Sequence, residues 1–280
     1  MTPNSFSIRL LNPSDLPAAM RLKQAAGWNQ TLKDWERLLS LAPDACFGVD
    51  IGGTLAATMT AISYGRELAW IGMALTAPEF RHRGFATALM RHTLDHLHER
   101  GIHWVKLDAT GEGARVYAQF NFQTECVVER WFRAASEPAQ AASPRLYSPP
   151  DARAMQTRDA FGISRAELLA RLLADGGGAM DGSGFALWRT GSHARYFGPC
   201  VTSDRASAES LLNCALQENA GAPVIWDLPR QNSAAVRLAS EYGFMQQRVL
   251  PRMSLQLRAH AEPLQPGMDA IFALAGFEYG

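Results

Sequence analysis

The stretch Trp70–Met90, WIGMALTAPEFRHRGFATALM, decides how this chain is read. Trp70 to Thr76 is short and almost wholly apolar, which predicts a strand buried on both faces. Pro78 closes it, because proline cannot donate to a ladder. Ala86, Leu89, Met90, Leu94 and Leu97 then recur at spacings of three and four, the period of a helix with one apolar face. Between strand and helix stands Arg81-His82-Arg83-Gly84-Phe85-Ala86. A basic turn running into a helix N-terminus makes an anion site, since the free N–H groups of the first turn and the macrodipole both face the anion. Gly84 and Ala86 keep side chains out of the way of a phosphate, and Arg81 and Arg83 supply positive charge.

Arg81, Gly84 and Ala86 occupy the three defining positions of R/Q-x-x-G-x-G/A, and the segment resembles the acetyl-CoA signature of the GCN5-related N-acetyltransferases (GNAT). The alternative reading is a basic turn with no ligand. The neighbouring elements extend the resemblance over residues 5–133. Phe6 to Leu11 alternates as a strand, and a helix capped at Pro13-Ser14-Asp15 runs to Ala26. Gly27-Trp28-Asn29-Gln30 breaks it, and Thr31 with Asp34 forms a capping box for a second helix. Cys46–Ile51 and Thr54–Ser63 are strands joined by Gly52-Gly53. After the long helix come a strand at Ile102–Leu107, a polar turn, a short helix at Ala114–Phe120 and one or two strands within Phe122–Phe132. The order β-α-α-β-β-β-α-β-α-β is that of the GNAT fold, a mixed, mostly antiparallel twisted sheet flanked by helices (α/β, or α+β).

The resemblance implies an acetyl-CoA-dependent N-acetyltransferase acting by direct attack of a neutral amine on the thioester. It implies that Ala74, Leu75 and Thr76 hold pantetheine as if it were an added strand and polarise the carbonyl. Arg81, His82, Arg83, Gly84, Phe85 and Ala86 would hold the pyrophosphate. Where the family often has N-x-x-A-x-x-L-Y-x-x-x-G-F, this chain has Thr110, Gly113, Val116, Tyr117, Asn121 and Phe122 at the compared positions. Thr110 leaves one polar atom for a weakened cofactor contact, and Asn121 tolerates the left-handed conformation of a helix C-cap. Tyr117 is the family's general acid for the leaving thiolate, and an unperturbed phenol lies near a thiol in pKa, so transfer would be nearly balanced. Packing of Tyr117 on the sheet is the alternative.

The chain has 280 residues, 47% of them apolar, enough for one large domain or two ordinary ones. With 27 basic and 27 acidic side chains it has no global attraction for nucleic acid or an anionic membrane. The start lacks a basic flank and apolar core, so no signal peptide is expected, and no run of 18 apolar residues predicts a membrane span. Cys46, Cys126, Cys200 and Cys214 are scattered, which argues against a zinc site or disulfide framework and for a reducing cytoplasm.

Residues 134–150, rich in Ala, Ser and Pro, read as a linker, dividing the chain into 1–133 and 151–280. In the second half a helix opens near Ser164, Gly176–Gly178 reads as a loop, and Gly184–Arg189 and Ala194–Thr202 as paired strands. A helix at 205–217 and a strand at 223–227 follow. Then Asn232, Ala235, Leu238, Gly243 and Phe244 repeat the N-x-x-A-x-x-L-x-x-x-x-G-F pattern. The chain therefore resembles two GNAT units in tandem. The second lacks the R-x-x-G-x-G/A turn and has Ala239 where the tyrosine would stand, so it is expected to be degenerate and to shape the substrate cleft. The tail IFALAGFEYG and the segment AGWNQTLKDW resemble a bacterial subfamily with this double arrangement.

His92 and His96, four apart on a helix, lack the glutamate of a zinc-protease motif and read as a solvated face; no metal is expected. Trp28, at the helix break, is the main acceptor-pocket candidate; Trp35 and Trp70 fit core packing equally well. The candidate bases are Glu67, Glu79 and Asp108. The acceptor, a small-molecule or peptide amine, is left open, and a homodimer is possible. The rival readings are a non-catalytic module that binds coenzyme A or another anion, and transfer of a longer acyl chain.

Overall fold

The computed structural model describes residues 6–135, 148–151, 153–155 and 159–280. Strands β1 (Ser7–Leu10), β2 (Cys46–Ile51), β3 (Thr54–Tyr64) and β4 (Leu68–Thr76) form an antiparallel run, and β5 (Trp104–Asp108) pairs parallel with the start of β4. Helices α1 (Leu16–Ala25), α2 (Leu32–Leu41), α3 (Phe85–Glu99) and α4 (Gly111–Ala118) flank them. The capping box that opens α2 is present: Thr31 N donates to Asp34 Oδ2 at 2.7 Å and Asp34 N to Thr31 Oγ1 at 3.4 Å.

The second unit carries β7 (Gly177–Met180), β8 (Gly184–Arg189), β9 (Arg195–Thr202) and β10 (Val224–Pro229), with helices α5 (Ala166–Asp175), α6 (Arg205–Glu218) and α7 (Ser233–Glu241). β9 and β10 pair parallel, as β4 and β5 do. The glycine run expected as a loop enters β7 instead. A Cβ on Gly177 would stand 2.4 Å from Trp188 Nε1, and one on Gly178 2.5 Å from Leu187 Cδ2. The glycines here permit close approach of β7 to β8 rather than a turn.

The two units share one sheet. Their long final strands, β6 (Gln123–Arg133) and β11 (Met245–Gln256), lie side by side in its middle, giving the order β1-β2-β3-β4-β5-β11-β6-β10-β9-β8-β7. Thus β11 of the second unit pairs with β5 of the first, and β6 of the first pairs with β10 of the second. The linker expected at 134–150 falls largely outside the described residues, as 136–147 are not among them.

Two buried ion pairs hold this exchange. Arg252 on β11 lies opposite Asp108 on β5 and donates to it twice, at 2.8 and 2.9 Å. Arg130 on β6 lies opposite Asp227 on β10 and donates at 2.7 and 2.6 Å. A slipped or unexchanged pairing would strand each charge in a buried sheet, at about 3–5 kcal/mol per broken pair.

A second joint uses the break between α1 and α2. The β8–β9 turn docks on it: Asn29 Oδ1 accepts from His193 N and Ala194 N at 2.9 and 3.0 Å, and Asn29 Nδ2 donates to Ala194 O at 3.0 Å. His92 and His96 are not simply solvated, because both rings meet the Phe47 ring edge-on, at 4.6 and 5.4 Å.

Candidate active site

The basic turn has the backbone an anion site needs. His82 (φ 61°) and Gly84 (φ 81°) are both left-handed, and Gly84 is the N-cap of α3 with no side chain capping it. The first-turn N–H groups are left open, and alternating backbone handedness brings N–H groups into a concave nest. A Cβ on Gly84 would meet nothing within 4 Å, so the space in front of the helix end is clear. The Arg81, His82 and Arg83 side chains are exposed, with Arg83 anchored on Glu79 O at 3.0 Å and stacked 5.3 Å from the Phe80 ring. Phe85 is core, and Ala86 is half-buried in the first turn.

A gap in the sheet leads away from this turn. β4 and β5 are in register only from Leu68↔Trp104 to Trp70↔Lys106. Beyond Trp70 a bulge interrupts β4, where the pairing with β3 jumps between Thr58↔Leu75 and Thr60↔Gly72, and Met73 takes φ 46°. A bulge bends and twists its strand, and here the far end of β4, including Ala74, Leu75 and Thr76, has no ladder partner on the β5 side. The gap opens into a cavity of about 110 Å³ lined by Ile71, Gly72, Met73 and Ala74 of β4, Leu107 and Asp108 of β5, and Thr110 and Tyr117 around α4.

Tyr117 is buried, and its hydroxyl makes no hydrogen bond among the described residues. Gly113 sits beneath the ring, where a Cβ would be 3.1 Å from Tyr117 Cε2. Burial pushes the phenol up to about 12. Full proton transfer from it to a thiolate, near 8.5 as a free thiol, is therefore uphill rather than nearly balanced, but the group stays a donor throughout the neutral range. Thr110 is the N-cap of α4, its Oγ1 accepting from Gly113 N at 3.2 Å.

Of the substrate candidates, Trp28 lines the cavity, half-buried. Asp108 also lines it, but its carboxylate has no exposed surface and is held by Arg252, so it serves as a strand lock rather than a free base. Burial pushes its pKa up while Arg252 opposes the rise. Glu67 is exposed at the opposite end of β4, outside the cavity. Glu79 is exposed in the turn and does not line the cavity either. Trp35 and Trp70 have no exposed surface; Trp70 Nε1 donates to Phe277 O at 2.9 Å and its ring lies 4.5 Å from the Arg252 guanidinium.

The remaining wall is one the sequence reading missed. The tail crosses from the second unit, and Phe277 and Glu278 close the cavity with Gln30, Arg130, Arg248 and Leu250. The tail lies so near the bulge that a Cβ on Gly72 would be 2.9 Å from Glu278 Cα. The one hint in the sequence is an acid, Glu278, in an otherwise apolar run.

Residues 14–122 match the model of the acetyltransferase (GNAT) family, and residues 155–265 match a model described as an acetyltransferase (GNAT) domain. The chain carries two GNAT domains in tandem. It is accordingly a transferase, of a class that carries out acyl-CoA-dependent N-acetylation. Among solved structures, a candidate acetyltransferase from Pyrococcus horikoshii is 21% identical, with 98% of this chain and 96% of that one covered and a TM-score of 0.84. A GCN5-related N-acetyltransferase from Sphaerobacter thermophilus is 17% identical, with 95% and 100% covered and a TM-score of 0.71. A tandem GNAT protein from the clavulanic acid biosynthesis pathway is 16% identical, with 91% and 99% covered and a TM-score of 0.65. At these identities the likeness is one of fold. No curated protein matches the sequence.

The second GNAT domain has the same gap between its parallel strands, and the chain fills it. β9 and β10 are in register only over Val224↔Arg195 to Trp226↔Phe197. Strand β12 (Ile271–Ala273) then pairs with the end of β9, and Leu274 N donates to Asp227 O of β10 at 2.8 Å. Asn232 caps α7 through Ala235 N, and its Nδ2 donates to Asp269 O and Ile271 O, both at 3.0 Å. The asparagine of the repeated pattern is thus engaged by the tail. Among the described residues no helix is long and apolar enough to cross a membrane.

Proposed function

We propose that the first GNAT domain transfers the acetyl group of acetyl-CoA to a primary amine by direct attack, and that the second domain binds no cosubstrate. The observation that carries this is the unpaired edge of β4, which borders the cavity at Tyr117 at Ile71–Ala74 and ends at Thr76, a few residues before the basic turn Arg81–Ala86. The nest and Arg81 and Arg83 suit a pyrophosphate, and the free β4 edge suits the amide groups of pantetheine. N–H groups of the Ala74–Thr76 stretch would polarise the thioester carbonyl. A cavity of about 110 Å³ favours a two-carbon acyl group over a long chain.

In the reaction the amine nitrogen, having lost its ammonium proton, bonds to the carbonyl carbon and the C–S bond breaks. The second nitrogen proton ends on sulfur, so the products are an amide and a free thiol. Tyr117 donates a hydrogen bond to the leaving sulfur and relays that proton as the amide forms, which avoids a free thiolate facing a phenol at about 12. Four free cysteines suit a reducing compartment such as the cytoplasm.

Calorimetric titration with acetyl-CoA tests the proposal. One site per chain is expected. Two sites would overturn the reading of the second domain, and no binding would overturn the reading of the first. Binding without release of free thiol across a broad amine panel would favour a non-catalytic module.

A further inference from the structure

The charges around the cavity do not cancel evenly. Four charged residues line it: Asp108, Arg130, Arg248 and Glu278. Two of these are neutralised across the sheet, Asp108 by Arg252 and Arg130 by Asp227. Glu278 and Arg248 remain.

Glu278 belongs to a largely buried chain of alternating acids and guanidinium groups. Its Oε1 accepts from Arg189 Nη2 at 3.1 Å and its Oε2 from Gln30 Nε2 at 2.8 Å. Arg189 is shared with Asp34 at 3.3 Å, Asp34 with Arg37 at 2.8 Å, and Arg37 with Asp175 at 2.6 Å. Three carboxylates thus share two guanidinium groups; Asp34 and Glu278 are nearly fully buried, and Asp175 is partly exposed. The nearby ammonium of Lys23 donates to Ser192 Oγ at 2.7 Å and attracts Asp34, and it makes no ion pair with Glu278 among the described residues. Glu278 takes one bond from a shared guanidinium and one from a neutral amide, so its carboxylate is less fully matched than that of Asp108, which takes both of its bonds from Arg252. Of the cluster, Glu278 and Gln30 line the cavity. Arg248 is the reverse case, an exposed cation on β11 whose guanidinium makes no ion pair or hydrogen bond among the described residues.

Resting on the acetyltransferase reading above, we infer that the acceptor is a small amino-acid-like zwitterion, with its ammonium group held at Glu278 and its anionic group at Arg248. A site offering one incompletely matched carboxylate and one unpaired guanidinium is complementary to such a molecule and discriminates against a plain amine, which would leave Arg248 unanswered. Glu278 takes one ammonium proton and frees the nitrogen lone pair for attack, and the proton then passes to solvent. Burial raises Glu278 above the usual carboxylate range, which suits a group that must accept that proton. The second domain thereby acts on the reaction of the first, through its tail and through β11.

The test compares common L-amino acids and ω-amino acids with their carboxamides and with the corresponding amines lacking a carboxylate. Thiol release is followed at fixed acetyl-CoA, and acetyl-CoA affinity is measured separately by calorimetry. At least one amino acid is expected to exceed its carboxamide about tenfold or more in kcat/KM. Arg248→Gln is expected to bring that ratio close to one through KM, with acetyl-CoA affinity unchanged. Glu278→Gln is expected to lower kcat about a hundredfold, with activity partly restored by raising the pH. Loss of fold in that variant would leave Arg248→Gln, on an exposed strand position, as the deciding arm. Carboxamides or plain amines used as well as the acids, an unchanged ratio in Arg248→Gln, or no turnover of any amino acid while acetyl-CoA binds would each overturn the inference. Absence of acetyl-CoA binding would instead overturn the parent reading.

Discussion

The turn at Gly84 allows backbone strain and charge to be separated in one pair of variants. Gly84 sits at φ 81°, where an L-residue costs about 1–2 kcal/mol, and an added Cβ meets nothing within 4 Å. Gly84→Ala should therefore lower folding stability by about that amount. It should change acetyl-CoA affinity little, since the strain is present with and without the ligand. Gly84→Glu carries the same strain and sets a carboxylate at the mouth of the nest. At a separation of ~5 Å and an effective dielectric constant of ~20, repulsion from one phosphate charge is about 3 kcal/mol. Solvent screening at this exposed turn reduces it to about 2 kcal/mol, or roughly a 30-fold loss of affinity. Denaturant midpoints give the first quantity and calorimetric titration with acetyl-CoA the second. If Gly84→Glu binds within about threefold of Gly84→Ala, the pyrophosphate does not lie at this helix end and the reasoning fails.

Tyr117→Phe should reduce turnover by about a hundredfold while acetyl-CoA affinity stays within about twofold, as single-turnover thiol release would show; wild-type turnover would remove its donor role. Asp108→Asn should cost about 3–5 kcal/mol of stability by leaving Arg252 without its carboxylate, and protein still folded at low temperature should bind acetyl-CoA. A variant of unchanged stability that had lost turnover would instead make Asp108 the base. The buried phenols set the alkaline limit: burial holds Tyr117 at about 12 and Tyr64, Tyr196 and Tyr279 above the usual value near 10. The folded chain keeps these protons more tightly than the unfolded one, so their contribution is complete below pH ~10 and is lost as pH rises toward the folded values. Urea midpoints should be level across the neutral range and fall above pH ~10; a midpoint unchanged at pH ~11 would contradict this.

Local rules reach as far as the turn and its flanks. Apolar spacing predicts β4 and α3, and the Thr31–Asp34 box predicts the start of α2. Those signals lie within a few residues of the feature they specify, so the strand, the basic turn and the helix after it are legible without coordinates. Glycines misled where their reason was distant: Gly176–Gly178 reads as a loop because only the fold shows Trp188 and Leu187 pressed against it. Asp108 reads as a candidate base because its partner Arg252 lies far along the chain, brought opposite only when β11 enters beside β5.

The cavity wall contributed by the tail is entirely a product of such long-range pairing. No periodicity in IFALAGFEYG tells that β12 fills one gap and that Glu278 then closes another, for both depend on which strand edges are left open after two units share a sheet. The sequence by itself carried the resemblance to GNAT, the doubling of its pattern and the basic turn between strand and helix, since those motifs are local. The tertiary structure alone decided the strand exchange, the self-filled second cleft and the tail-built wall. Those rest on hydrogen-bond partners and buried charges that meet only when distant segments are brought side by side.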